Sequence, residues 1–247
     1  MSKRVVLPFV LVLCCCLPTF RVVGHNVDYE IVAVYGSTPA ISGNMHLGEW
    51  DDAESVSFNY TEVFVKQDGR NLYVAFNVSD ATIDARENVH IYFDVNYDDG
   101  SSFKPDDILM AAFRNGTLVE GHLENGTYVN ATGWSADTFV LGGFWQAEFN
   151  ITYAKINVTA GVEKTLGVAF EAIDFDFAYI FQSWPHNLRD YGPPLDPSMW
   201  GGLISSPYNW IPEFSPLSIL PLLIIAPVLF ITVRFILKKN SFLRMCA

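Results

Sequence analysis

The feature that most limits the fold of this chain is a side-chain alternation of period two. Within residues 27–174, apolar and polar residues alternate in six short runs, and no apolar stripe of helical period lasts three turns. Such alternation sends successive side chains to opposite faces of a β-strand, so each run predicts a strand with one face in a core. The runs are centred on Val56, Phe58 and Tyr60; Leu72, Val74, Phe76 and Val78; Val89, Ile91, Phe93 and Val95; residues 108–113; Trp145, Ala147, Phe149 and Ile151; and Leu166, Val168, Phe170 and Ala172.

Turn-forming residues separate these runs. An Asp-Gly pair occurs at residues 68–69, Asn-Gly pairs occur at 115–116 and 125–126, and a Gly-Gly pair occurs at 142–143. Such pairs favour the tight turns of β-hairpins. The sequence therefore predicts an all-β protein whose main domain, residues 25–179, is an antiparallel, jelly-roll-like β-sandwich.

The two ends of the chain have a different pattern. Residues 1–24 combine Lys3 and Arg4 with a short apolar stretch and a small residue, Gly24, which is typical of a secretory signal peptide. Residues 217–237 are apolar except for Arg234 and are followed by a basic tail, residues 238–247, so they predict one C-terminal transmembrane helix with a cytoplasmic C-terminus. The Pro- and aromatic-rich residues 180–216 are interpreted as an extension and stalk between domain and membrane.

The charge distribution limits the partners of the external region. All 27 acidic residues lie between residues 28 and 213, but only eight of the 15 basic residues do, which leaves a net charge of −19 there. Such a surface repels phosphate backbones, so nucleic acid is excluded as a partner. The hydrophobic content of 50% is sufficient for a folded core.

Sequons and cysteines indicate an exported protein. Cys14, Cys15, Cys16 and Cys246 all lie outside the predicted domain, which therefore has no disulfide. Many sequons without disulfides favour a glycosylated archaeal cell-surface protein. The seven predicted glycosylation sites are Asn59, Asn77, Asn115, Asn125, Asn130, Asn150 and Asn157.

Four segments, in order along the chain, resemble the family 9 carbohydrate-binding module superfamily. They are Ile41-Ser42-Gly43 with residues 48–53; residues 72–76 through Asp80; residues 89–94 with Asn96 and Asp98; and residues 145–151 before 166–168. The resemblance covers roughly residues 30–175 and implies a jelly-roll-like sandwich. Some members of the superfamily bind sugar ends between tryptophans, with structural calcium nearby. Others resemble the haem-binding subunit of ethylbenzene and dimethylsulfide dehydrogenases and glycosylated archaeal b-type cytochromes.

Three groups of residues are candidate sites. Trp134, Trp184 and Trp200 lie in Gly- and Pro-rich surroundings where an exposed indole could stack on a sugar, whereas Trp50 and Trp145 are expected in the core. Hard oxygen ligands at alternate positions suit calcium; the predicted ligands are Asp94, Asn96, Asp98, Asp106 and Asp107. For haem b, the leading candidate ligands are Met45, His46 and Met110, and c-type attachment is excluded because no Cys-X-X-Cys-His occurs. Further possible axial ligands are His90, His122, His186, Lys155 and Lys164.

The sequence offers little support for a catalytic site. It contains no Gly-X-Ser-X-Gly turn, and its five histidines are scattered. The preferred prediction is a non-enzymatic, membrane-anchored module that binds glycans outside the cell. A b-type haem electron-transfer protein and a purely structural envelope component are the alternatives.

Overall fold

A computed structural model describes residues 28–80, 82, 84–98, 100–175, 180–185 and 196–205 of the chain. The predicted leader, the transmembrane segment 217–237 and the cytoplasmic tail lie outside these residues. The described residues contain no helix that could span a bilayer.

The described residues form thirteen strands and one short 3₁₀ helix, Pro197–Met199. The strands are β1 (Glu30–Tyr35), β2 (Glu54–Phe58), β3 (Thr61–Gln67), β4 (Asn71–Ser79), β5 (Asn88–Asp94), β6 (Asp107–Phe113), β7 (Leu118–His122), β8 (Thr127–Val129), β9 (Trp134–Leu141), β10 (Phe144–Thr152), β11 (Lys164–Asp174), β12 (Ile180–Trp184) and β13 (Gly201–Ser205). The all-β prediction is confirmed, and each of the six runs of alternation overlaps a strand, although Tyr60 and Val95 lie just outside β2 and β5.

The strands form one curled sheet with two halves. Its order is β8-β7-β6-β5-β11-β13-β1-β3-β4-β10-β9, with β12 also on β11 and β2 on β3. The "β5 half" runs from β8 to β13 and the "β4 half" from β3 to β9, and β1 belongs to both. Residues Glu30 to Ala33 pair with β13, whereas Val34 and Tyr35 pair with β3.

The prediction of a purely antiparallel sheet is wrong at β1. This strand pairs in parallel with both β13 and β3. Its partners lie far away along the chain, and a parallel pair needs a long connection instead of a hairpin turn, so local turn signals do not reveal it. The sheet is therefore mixed.

The two halves pack face to face over a common core. Phe76 of β4 contacts Phe170 of β11 with ring centroids 5.9 Å apart, and both rings are fully buried. The core expectation is confirmed for Trp145, which is buried in this core, whereas Trp50, within residues 36–53, is buried against the outer surface of the β4 half. Residues 36–53 cover part of the outer surface of the β4 half, and residues around Trp200 cover part of the β5 half.

The sheet continues past the domain boundary predicted at residue 179. Strands β12 and β13 both pair with β11, along different stretches of it. Gly201 is required at this point because an added Cβ would lie 2.7 Å from Cη2 of Trp184. Part of the predicted extension is thus an integral part of the sheet.

Candidate functional site

A groove crosses the outer surface of the β5 half. Outward-facing residues of β5, β6 and β11 form its floor, because side chains alternate in direction along each strand. Its volume is about 460 Å³, within the usual range for ligand pockets. The lining residues are Asn88, His90, Leu109, Ala111, Phe113, Val119, Tyr128, Ile173 and Phe175.

One end of the groove contains a hydrogen-bonded group. His90 Nδ1 lies 2.9 Å from Oε2 of Glu171, and the hydroxyl of Tyr92 donates to the same oxygen at 2.6 Å. Because that carboxylate oxygen accepts, Nδ1 carries the proton and Nε2 remains for a ligand. Glu171 is 1% exposed, so its position is set by the sheet.

Asn88 adds an acceptor to the same end. It lies two residues before His90 on β5 and therefore on the same face. Its Nδ2 donates to the carbonyl of Arg86 at 2.7 Å, whereas its Oδ1 has no hydrogen-bond partner among the described residues. A buried acceptor without a partner is costly, and a ligand donor would satisfy it.

Aromatic rings flank the groove. Tyr128 of β8 is 71% exposed, and the ring passes over Gly121, where an added Cβ would lie 3.4 Å from Tyr128 Cε1. Phe175 lies at the opposite side, with the guanidinium of Arg86 5.1 Å from its ring centroid. The groove thus combines aromatic sides with a polar end, which is the usual composition of a site for a ligand with both C–H faces and hydroxyls.

The three tryptophans predicted to stack on sugar are buried instead. Trp134 is 7% exposed and stacks on Phe149, and its Nε1 donates to Glu120 at 2.8 Å. Trp184 packs against Phe170, with ring centroids 5.6 Å apart. The exposed surroundings expected for Trp134, Trp184 and Trp200 are therefore wrong, because all three rings lie in contacts of the sheet.

Trp200 is fully buried but lies next to the groove. Its ring centroid is 5.8 Å from that of Tyr92 and 6.4 Å from that of Phe103. It therefore supports Tyr92, which hydrogen-bonds to Glu171. Sequence reasoning missed Tyr128, which has no distinctive motif, and it considered His90 only as a possible ligand of haem. The signal that could have placed His90 here is its outward parity on β5.

The predicted calcium ligands lie at the junction of β5 and β6. Carboxylate oxygens of Asp94, Asp98 and Asp106 lie within 4.8 Å of one another. Asp107 pairs with Asp94 across the two strands. The fifth predicted ligand, Asn96, is exposed and only its backbone N–H joins the cluster, donating to Asp106 at 2.9 Å.

The electrostatics of this acidic cluster favour a cation. Burial, together with the charges of Asp94 and Asp106, raises the pKa of Asp107 to about 7. Its Oδ2 accepts from the Lys104 N–H at 2.6 Å, whereas its buried Oδ1 has no partner among the described residues. Lys104 Nζ donates to Asp98 at 2.5 Å and would compete with a metal ion.

The haem candidates are not brought together. Met110 lies on the inward face of β6 and is 0% exposed between the two halves. Met45 and His46 lie on the outer surface of the β4 half, where they line a second cavity of about 330 Å³. Met110 therefore cannot share a haem with them, because a whole sheet layer separates the two positions.

Hydrogen bonds hold residues 42–52 over this second cavity. Trp50 Nε1 donates to Glu148 at 2.9 Å, and the N–H of Ser42 donates to the other oxygen of the same carboxylate at 3.0 Å. Lys66 Nζ lies 4.9 Å from the Trp50 ring centroid and donates to Asp52 at 2.8 Å. The loop that carries the first resemblance segment is thus fixed to the sheet by buried and partly buried polar contacts.

The sequon asparagines differ in exposure. Asn77 and Asn150 are half-buried near the C-terminal ends of β4 and β10. The other five are exposed, at Asn59, Asn115, Asn125, Asn130 and Asn157. Modification at each site stays a prediction.

Comparisons with known proteins identify similar folds. No family model matches the chain, and no curated protein does. A family 9 carbohydrate-binding module from Caldicellulosiruptor kristjanssonii in complex with cellotriose is 17% identical, with a TM-score of 0.56 over 75% of this chain and 96% of the module. Its complex with glucose gives a TM-score of 0.57 at 17% identity, over 74% of this chain and 99% of the module.

A third solved structure is more distant. It is described as a candidate carbohydrate-binding protein from Bacteroides uniformis, is 11% identical, and has a TM-score of 0.50 over 74% of this chain and all of that one. Identities this low establish the fold and leave the ligand open. The described chain therefore has the fold of the family 9 carbohydrate-binding modules.

Proposed function

We propose that this protein is a non-catalytic glycan-binding module whose site is the groove on the β5 half. The observation that carries the proposal is one groove lined both by the exposed Tyr128 ring and by His90, which is paired with Glu171. Similar folds in complex with cellotriose and glucose support the assignment of ligand class. The binding is non-covalent and needs no reacting group.

Each residue of the groove makes a different contact with the sugar. The ring of Tyr128 stacks on the C–H face of a sugar and supplies apolar contact. Nε2 of His90 accepts from a sugar hydroxyl, while the hydrogen bond from Nδ1 to Glu171 holds the ring in place. Oδ1 of Asn88 accepts from a second hydroxyl. The strongly acidic composition favours neutral sugars over uronic acids.

The best test compares two exposed tyrosines. Tyr128→Ala should weaken binding of cellotriose or glucose, measured by titration calorimetry, about tenfold or more, because truncation removes the stacking surface. Tyr35→Ala is the control, since Tyr35 is 44% exposed on β1 and does not line the groove. Equal affinity of wild type and Tyr128→Ala, or no binding of any neutral glycan by the wild type, would overturn the proposal.

We propose a calcium ion as the structural cofactor of the acidic cluster. Asp94, Asp98 and Asp106 would bind the ion, which would also relieve the repulsion that acts on Asp107. Calcium should therefore raise the unfolding temperature of the wild type, and Asp106→Asn should remove most of that increase. Asp137→Asn, an exposed change on β9, should leave it intact; an unchanged response in Asp106→Asn would reject the site.

We also propose that the module faces outward from a membrane, held by residues 217–237. The apolar run, the basic flank and the seven sequons support this location. The full chain should stay with membranes after alkaline extraction, and a chain ending at Ser205 should be released. Release of the full chain would contradict the proposed anchor.

A further inference from the structure

The second cavity, on the β4 half, contains a side chain that the proposed glycan site does not use. Asn77 is half-buried in β4 and lines this cavity of about 330 Å³. It is also the first residue of the sequon Asn77-Val78-Ser79. We infer that this cavity holds the chain's own N-linked glycan, attached at Asn77, whose first sugar packs beneath residues 45–51.

The amide of Asn77 is oriented for such a linkage. Its Oδ1 accepts from Nε2 of Gln146 at 3.2 Å, and Gln146 in turn accepts from the N–H of Met45 at 3.0 Å. N-glycosylation uses Nδ2 and leaves Oδ1 as an acceptor, so both hydrogen bonds persist in the modified protein. Gln146 is itself buried, which makes the orientation of this amide a property of the sheet.

The cavity has the chemical lining that a sugar requires. The side chains of Trp50 and Phe64 supply apolar contact, and Gln146 and Asp51 supply polar groups. His46, Gly48 and Asp51 are exposed at the rim, which leaves a path for the outer sugars. The volume is at the lower end of ligand pockets, which suits one or two sugar units.

The position of Asn77 also dictates when the sugar is added. β4 lies between β3 and β10, and Asn77 is paired with both Glu62 and Gln146 in register. A transferase cannot bind a strand enclosed on both sides, so the transfer precedes sheet formation. In the transfer, Nδ2 attacks C1 of a polyprenyl-diphosphate-linked oligosaccharide, the C1–O bond breaks with release of the lipid diphosphate, and the amide proton passes to a base of the transferase.

The test uses the full chain expressed with its leader in a glycosylating host. Peptide mapping by mass spectrometry should find Asn77 occupied, and a peptide N-glycosidase should release this glycan only after denaturation. The exposed turn sequon at Asn125 is the matched control, and its glycan should be released from the native protein as well. An unmodified Asn77, or release at equal rates from both native sites, would overturn the inference.

A stability measurement distinguishes a glycan that packs in the cavity from a glycan that is attached but makes no contact there. Ser79→Ala removes the sequon but keeps Asn77, Ser79→Thr preserves the sequon, and Thr127→Ala removes the control sequon. Ser79→Ala should lower the unfolding temperature of the glycosylated protein by about 2–4 °C, more than Thr127→Ala, whereas Ser79→Thr should match the wild type. If Ser79→Ala lowers the unfolding temperature equally in protein from a non-glycosylating host, the loss comes from the serine side chain. That result would reject the inference.

Discussion

At the residue scale, Arg114 lies between two buried carboxylates. Its Nη1 donates to Asp80 and to the carbonyl of Thr82, both at 2.7 Å, and also to Glu87. The side chains of Arg114 and Glu87 are 3% and 1% exposed. The sequence does not mark these three residues as partners, because they meet only when β4, β5 and β6 pack together.

Loss of this guanidinium should be strongly destabilising. Arg114→Met leaves two carboxylates buried without their counter-charge, and breaking a buried pair costs about 3–5 kcal/mol of unfolding free energy. Urea denaturation of the variant measures this loss. Arg86→Met is the control because the Arg86–Asp84 pair is exposed and should matter little; equal effects of the two changes would contradict the account.

The same cluster predicts a pH dependence. Burial raises the pKa of Glu87 to about 7, against the lowering effect of Arg114, so the folded state holds this proton more tightly than the unfolded chain. The contribution of Glu87 to stability is therefore full below about pH 4.5 and is lost as the pH rises to about 7. The difference in unfolding temperature between wild type and Glu87→Gln should change across that interval, and a constant difference from pH 4 to 8 would refute the prediction.

At the element scale, the loop 36–53 depends on a close approach to β9. Gly43 has a φ of +76°, and an added Cβ would lie 2.4 Å from the backbone carbon of Thr138. Gly126 has a similar φ of +64°, but no atom of the described residues comes within 4 Å of that position. The two glycines thus share one backbone requirement and differ in packing.

Alanine variants of Gly43 and Gly126 distinguish the free-energy cost of backbone strain from the cost of losing the loop contact. Gly126→Ala should cost about 1–2 kcal/mol of unfolding free energy for the left-handed backbone alone. Gly43→Ala should cost clearly more, because the loop must leave β9, and should increase hydrogen exchange of residues 42–50. Equal losses in the two variants would show that the loop contact contributes nothing.

The elements differ in how far the sequence predicted them. Strands β4, β5, β6, β10 and β11 follow from alternation, because side-chain parity is a local property of an extended chain. β12 and β13 do not follow from alternation. In β13, Gly201 and Gly202 show no alternation, and this strand forms only between β11 and β1. The exposure predicted for Trp184 and Trp200 is wrong for this reason, because a packed strand lies in their glycine- and proline-rich surroundings.

At the scale of the whole molecule, β13 closes the sheet between β11 and β1. A chain ending at residue 179 would leave β11 without β12 and β13, and β1 without its first partner. Such a chain should aggregate, because exposed strand edges recruit other chains. A chain ending at Ser205 should be soluble and give a cooperative unfolding transition; a well-folded product from the shorter chain would contradict the role given to β13.

Local sequence is sufficient to predict the strand class, the faces that enter the core and the acidic segment between β5 and β6. Each of these depends on neighbours along the chain. Long-range strand pairing creates the groove, since His90, Glu171 and Tyr128 come from three strands and acquire a common site through sheet order. It also separates Met110 from Met45 and His46. Alternation specifies which face a side chain takes, whereas strand order, set by long-range pairing, specifies which side chains share that face.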